Sequence, residues 1–282
     1  MTKSTTSPEM LVVIPHYNRA DTIKRAVDSI LSQTYENFEL LVVDDASEQS
    51  VGDSLGQDSR VKYFELRKNM GRYFIDAVAS RANPYKYYMP HDSDDESTPD
   101  RFYKLISKIE ETDADAVFNL ERKIELDGTD HTISADRFHL PTSTNMPHRT
   151  HHSGVYKTDS LLDSGGYHPG YRVSYDTFLL NAMKLTKNLD IVEEPLYIRH
   201  RTEESLTISP TTGAKSLYRQ RVTNDLHQLY LSCLDSPEHT KDIIESSIST
   251  EHKMSMNSEI QRMRMELGWT AIHYPIEDAE AS

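Results

Sequence analysis

The chain has 282 residues and a formal net charge of -14, from 45 acidic and 31 basic residues. That length suits one large domain or one domain with an appendage, and the acidic balance argues against a nucleic-acid or anionic-lipid partner held by long-range attraction. No stretch approaches the ~20 apolar residues of a membrane span, residues 1–9 lack the apolar core of a secretory leader, and the single cysteine, Cys233, excludes an internal disulfide and a cysteine-cluster zinc site, so cytoplasmic residence is the expectation.

Met10 to Ile14 is an apolar, β-branched run closed by Pro15, the pattern of a fully buried strand. His16-Tyr17-Asn18-Arg19 follows as a polar turn, and Asp21 is placed to cap a helix. Ile23, Ala26, Val27, Ile30 and Leu31 then recur at helical spacing. Phe38 to Val43 is a second buried strand, ending on Asp44-Asp45. Strand, helix and strand in quick succession are the mark of a right-handed βαβ crossover. In open parallel sheets ligands bind beyond the carboxyl ends of the strands, where His16, Tyr17, Asp44 and Asp45 fall.

Val61 to Leu66 reads as a third strand and Tyr73 to Ala82 as a helix. Arg72 opens that helix, where a cation opposes the helix dipole; meeting a phosphate or a base would explain it, and so would plain exposure to solvent. Tyr85 to Met89 is a strand that delivers Asp92-Ser93-Asp94-Asp95. Carboxylates this close repel one another unless a cation sits among them, and Mg²⁺ or Mn²⁺ prefers such oxygens; a solvated acidic turn is the alternative. Thr98 and Pro99 are placed to start a helix with Phe102, Leu105, Ile106 and Ile109 on its inner face.

Ala114 to Leu120 is strand-like, and residues 127–147 read as a loop. A short helix from Lys157 to Asp163 ends at Gly165-Gly166, and Tyr175-Asp176 opens another that runs to Leu185. Ile191 to Ile198, interrupted by Pro195, looks like an edge strand. From Lys215 the chain is helical to about Leu234 and again from Asp242 to about Leu267.

The order of these signals resembles family 2 glycosyltransferases of the GT-A fold. The residues that carry the resemblance are Val12-Val13-Ile14-Pro15-His16-Tyr17-Asn18-Arg19, the run from Ser32 through Asp44-Asp45-Ala46-Ser47, Asp92-Ser93-Asp94-Asp95 with Pro99-Asp100-Arg101-Phe102, and Ser153-Gly154-Val155-Tyr156 with Gly165-Gly166-Tyr167 and Tyr175-Asp176. It implies an α/β fold: a Rossmann-like, mostly parallel sheet flanked by helices, with a helical C-terminal extension. The catalytic domain would span 10–205, divided into a nucleotide-binding half at 10–95 and an acceptor half at 96–205. A flexible terminus would occupy 1–9, helices 206–276 and a disordered tail 277–282.

By the same resemblance, Pro15, Tyr17, Asp45, Arg72, Asp92 and Ser93 would hold the nucleotide, with Tyr17 stacked on a uracil-type base. Asp94 would ligate Mn²⁺ or Mg²⁺, with His200 as a further ligand or else a surface histidine. Asp95 fits the metal position less well. Asp176 would be the catalytic base of an inverting transfer from a UDP-sugar. His151, His152 and Tyr175 would contact the acceptor or the diphosphate. Tyr175 stands where many members carry an acid, and the glutamine-arginine-tryptophan signature of processive synthases is absent. The acceptor stays open among a saccharide, a lipid-linked sugar, a metabolite and a protein, and the C-terminal helices could pair two copies. A retaining glycosyltransferase, a nucleotidyltransferase and a non-catalytic sugar-nucleotide binder are the competing readings.

Overall fold

The computed structural model of the chain describes residues 8–134, 138, 146, 151–202, 210–213 and 215–269. Four strands form its parallel half: β1 (Met10–His16), β2 (Phe38–Asp44), β3 (Val61–Glu65) and β4 (Tyr87–Pro90). A two-residue strand, β5 (Glu96–Ser97), follows the acidic turn. The remaining strands are β6 (Ala116–Ile124), β7 (Asp130–Ile133), β8 (Gly154–Lys157) and β9 (Leu189–His200). They assemble in the order β3-β2-β1-β4-β8-β6-β9-β5, with β7 paired to β6. The sheet is α/β and mostly parallel, with antiparallel pairing at β8, β7 and β5.

Alternation along β1 splits the core between the two faces of the sheet. Met10, Val12 and Ile14 join α1 (Ile23–Leu31) and α3 (Arg101–Thr112) on one side. Leu11 and Val13 join α2 (Arg72–Ala82) and α5 (Tyr175–Thr186) on the other, with α4 (Thr158–Asp163) beside them. The C-terminal helices α6 (Leu217–Asp235), α7 (Thr240–Ser247) and α8 (Thr250–Leu267) close over that second side. Val222, Leu226, Tyr230, Cys233, Ile244, Ile260 and Met263 share one apolar cluster with β1 and α2. The inner face of α6 is thus committed to the chain's own core, while Leu217 at its start is 72% exposed.

Four expectations about elements need correction. Thr22, not Asp21, precedes α1. α3 starts at Arg101 after Asp100, later than Pro99, because pairing of Glu96 and Ser97 with β9 keeps the preceding backbone extended. β9 is no edge strand: β6 lies on one side and β5 on the other. Pro195 is tolerated because the β6–β9 register shifts on both sides of the Leu120–Pro195 pair, a bulge that needs no ladder donor. The expected helix 242–267 is two helices, separated at Ile248 and restarted by Ser249, whose hydroxyl accepts the His252 N–H. The 127–147 stretch begins with Gly128 at φ 81° turning the chain into β7. The rest of that expected loop is almost entirely outside the described residues, as are the terminal 1–7 and 270–282.

Candidate active site

The ends of β1 and β2 build the first wall. Asp44 accepts from the Ser47 N–H at 2.8 Å and the Tyr63 hydroxyl at 2.9 Å. Asp45 accepts from the Met70 N–H at 2.6 Å and the Gly71 N–H at 2.8 Å, tying β2 to the start of α2. Burial nevertheless pushes the Asp45 carboxyl up against these bonds. Arg172 clasps the same loop through the Asn69 carbonyl at 2.8 Å. Pro15 is half-buried and Tyr17 is 48% exposed, so the phenol face is open beside these groups.

Arg72 has reasons to stand at a helix start. Its Nε donates to Asp76 at 3.1 Å, and Nη1 is paired with the Asp92 carboxylate. Asp76 is itself buried and accepts from the Tyr88 hydroxyl at 2.6 Å. Burial is the largest single influence and works against the Arg72 charge, but Asp76 and the neighbouring Tyr197, Tyr167 and Tyr88 together outweigh it and hold the guanidinium above its ordinary pKa. The third guanidinium nitrogen, Nη2, is buried without a hydrogen-bond partner among the described residues. A buried donor left so is costly unless a ligand meets it.

The acidic turn does not follow simple strand alternation. Ser93 and Asp94 form the turn itself, with Ser93 buried, which brings Asp95 round beside Asp92. Asp95 is fully inside. It accepts from the Tyr197 hydroxyl and from the His200 backbone N–H, both at 2.8 Å. Burial, with the Asp94 charge next, pushes its carboxyl up to about 7. His152, just ahead of β8, places Nδ1 3.5 Å from Asp92 and Nε2 3.2 Å from Glu121. Asp92, Asp95 and His152 each bring one potential ligand atom within 4.8 Å of the others, the grouping of described residues suited to a metal ion.

Asp94 and His200 stand outside that group. The His200 imidazole instead meets Glu96 at 2.6 Å, because β9 presents the backbone of this residue, not its ring, to Asp95. Tyr175, expected near the acceptor or diphosphate, opens α5. It is wholly buried and its hydroxyl donates to the Gly166 carbonyl at 2.9 Å. His151 is buried too, its Nδ1 2.9 Å from the Tyr167 hydroxyl. Burial, then the Arg72 charge, keeps its pKa well below the usual imidazole range.

Asp176 is the second residue of α5 and half-buried. The Tyr73 hydroxyl donates to its Oδ1 at 2.9 Å. Three further residues had no role in the sequence reading, although Arg101 was among those that carry the resemblance. Tyr197 donates to Asp95, Glu121 lies against His152, and Arg101 is fully buried beneath them. Arg101 reaches Asn119 and Ser97, both at 2.9 Å, and the His152 carbonyl at 2.8 Å. Its sequence signal was the one that marked Arg72: a cation in the first turn of a helix needs a partner beyond it.

An α/β sheet with an acidic turn, an arginine and a carboxylate gathered at its strand ends is the layout of a nucleotide-dependent transferase. Residues 11–177 match the family model described as glycosyl transferase family 2, and the chain belongs to that family. Its stretches are similar to the succinoglycan biosynthesis protein ExoO of Rhizobium meliloti, 34% identical over 43% of this chain and 35% of that protein. Glycosyltransferase GlyG of Streptococcus pneumoniae is 31% identical over 38% of this chain and 36% of that one. The first of the curated relatives are spanned over only 12% to 36% of their own length. The fold is that of S. aureus TarS, solved with UDP-GlcNAc, at a TM-score of 0.66 and 16% identity over 93% of this chain and 76% of that one. The architecture is therefore GT-A.

Proposed function

We propose that this protein transfers a glycosyl group from a UDP-sugar to an acceptor hydroxyl with inversion. The observation that carries the reading is the pairing of two consecutive residues: Arg72 holds Asp92 while Tyr73 holds Asp176. The donor end and the base are thereby joined through one turn of helix. Tyr17, Pro15 and Asp45 line the base and ribose side, with Asp92 and Ser93 next to it. Arg72, paired with Asp92, brings its guanidinium charge to the diphosphate side.

The donor set at Asp92, Asp95 and His152, with Asp94 adjacent, suits Mn²⁺ or Mg²⁺. When bound there, the cation supplies charge that offsets what builds on the leaving diphosphate. Asp176 takes the proton of the acceptor hydroxyl as that oxygen bonds to the anomeric carbon. The electron pair of the old glycosidic bond leaves with UDP from the opposite face. The acceptor is a sugar, lipid-linked sugar, metabolite or protein hydroxyl. UDP-GlcNAc, the ligand named for TarS, is the first donor to try.

The test is a panel of sugar nucleotides scored for Mn²⁺-dependent hydrolysis and thermal shift, with the anomer of the product assigned by NMR. One UDP-sugar should stabilise the protein and be hydrolysed only with divalent metal, giving the inverted sugar. Activity unaffected by EDTA sinks the cation site, a retained anomer sinks inversion, and no response to any UDP-sugar sinks the reading as a whole.

A further inference from the structure

We propose that Tyr73 is the positioning residue of the transfer, holding one oxygen of Asp176 so that the other faces the acceptor hydroxyl. This rests on the reading of Asp176 as the base. Tyr73 lies in the first turn of α2 and is only 6% exposed. Its ring is walled in by Tyr167, Tyr175 and His151, with centroids 6.5, 5.8 and 5.8 Å away. The hydroxyl donates to Asp176 Oδ1 at 2.9 Å, and the Asp176 N–H donates back to it at 3.4 Å. Both the carboxylate and the backbone that carries it are thus tied to one phenol oxygen.

The backbone needs such a tie. Ser174, just before α5, has φ 65°, a left-handed conformation that a non-glycine residue keeps only under restraint. Arg219 and Thr223 of α6 reach its hydroxyl, each at 3.4 Å. Tyr73 ties the chain two residues on, through the Asp176 N–H. Because Arg72 is fastened to Asp92 and Asp76, the phenol also sets the base in register with the donor end.

Tyr73 donates a hydrogen bond and keeps its proton. Burial, then the Asp176 charge, raise the phenol well above its ordinary pKa. In the step itself the acceptor O–H breaks and its proton goes to Asp176 Oδ2. The new carbon–oxygen bond forms and the old one breaks with its pair leaving on UDP. A side chain that rotates away from this geometry loses rate without losing donor affinity.

The experiment is Tyr73→Phe, assayed with the sugar nucleotide that wild type hydrolyses fastest in the panel above. Its kcat should fall by roughly 10- to 100-fold, with donor KM and the calorimetric Kd for UDP unchanged. Added to Asp176→Asn, it should cost nothing further, since the two act as a unit. Tyr230→Phe, which strips a buried tyrosine hydroxyl on α6, is the folding control. Unchanged kcat, a loss shared with donor binding, losses that multiply with Asp176→Asn, or a fold weaker than that of Tyr230→Phe each overturns the proposal. An active Asp176→Asn overturns the base and this inference together, whereas an inactive Asp176→Asn beside a fully active Tyr73→Phe overturns only the role of Tyr73.

Discussion

Single side chains decide the chemistry. Replacing Asp176 by Asn keeps the size of the side chain but removes its capacity to take a proton, so transfer should fall by ~10²–10⁴-fold while UDP binding, measured by calorimetry, persists. Loss of UDP binding in that variant would place Asp176 in the nucleotide pocket instead. A second residue contributes to stability against acid. His168 is 5% exposed, packed on Tyr171 at 4.6 Å and accepting the Gly170 N–H at 3.0 Å. Burial, the largest cause, lowers its pKa to about 4 from a usual 6.5. Between those values the unfolded chain binds the proton and the folded chain does not, so stability rises with pH across the window and is lost on acidification. At ~1.4 kcal/mol per unit, this one group accounts for roughly 3–4 kcal/mol at most. Urea unfolding through the window should show a shallower pH slope for His168→Gln than for wild type; equal slopes would refute the assignment.

Elements show where local pattern ends and context takes over. Strand runs, helix spacings and the start of α5 at Tyr175 were legible because burial on one or both faces imposes a period of its own. The Pro195 bulge was not, since a proline reads as an edge until the facing strand is known to shift register. The acidic turn is similar: spacing favours Asp92 with Asp94, whereas the turn at Ser93-Asp94 brings Asp95 in. Glycines report the same dependence on context. Gly165 has φ 88°, and an added methyl would lie 2.8 Å from Ile244 of α7. Gly165→Ala should therefore combine ~1–2 kcal/mol of backbone strain with an overpacking cost of ~1–3 kcal/mol. Gly128→Ala, at φ 81° with nothing within 4 Å, carries the strain alone. Thermal unfolding of the pair should separate them, and equal melting temperatures would show that α7 gives way.

At the scale of the molecule the C-terminal helices are part of the structural core. Trp269 follows α8 and donates from Nε1 to Glu39 of β2 at 2.9 Å, across 230 residues of chain. Both groups are buried, and burial raises the Glu39 carboxyl. Trp269→Phe leaves Glu39 without that donor and should cost about 1–3 kcal/mol, read as a lower urea midpoint. A chain cut after Gly213 loses Leu226, Tyr230, Ile260 and Met263 from the cluster around α2, and should show no cooperative unfolding transition. A sharp transition in that fragment would make residues 10–205 an independent unit.

The linear order of residues was enough to indicate an α/β sheet, family 2 membership and the strand ends where the acids gather, because periodicity and short motifs are properties of neighbouring residues. Which carboxylate turns inward, which hydroxyl holds Asp176, and that α6 to α8 belong to the core were decided by the tertiary structure alone. Those contacts join residues up to 230 positions apart, and direction in space between distant segments leaves no trace in local spacing.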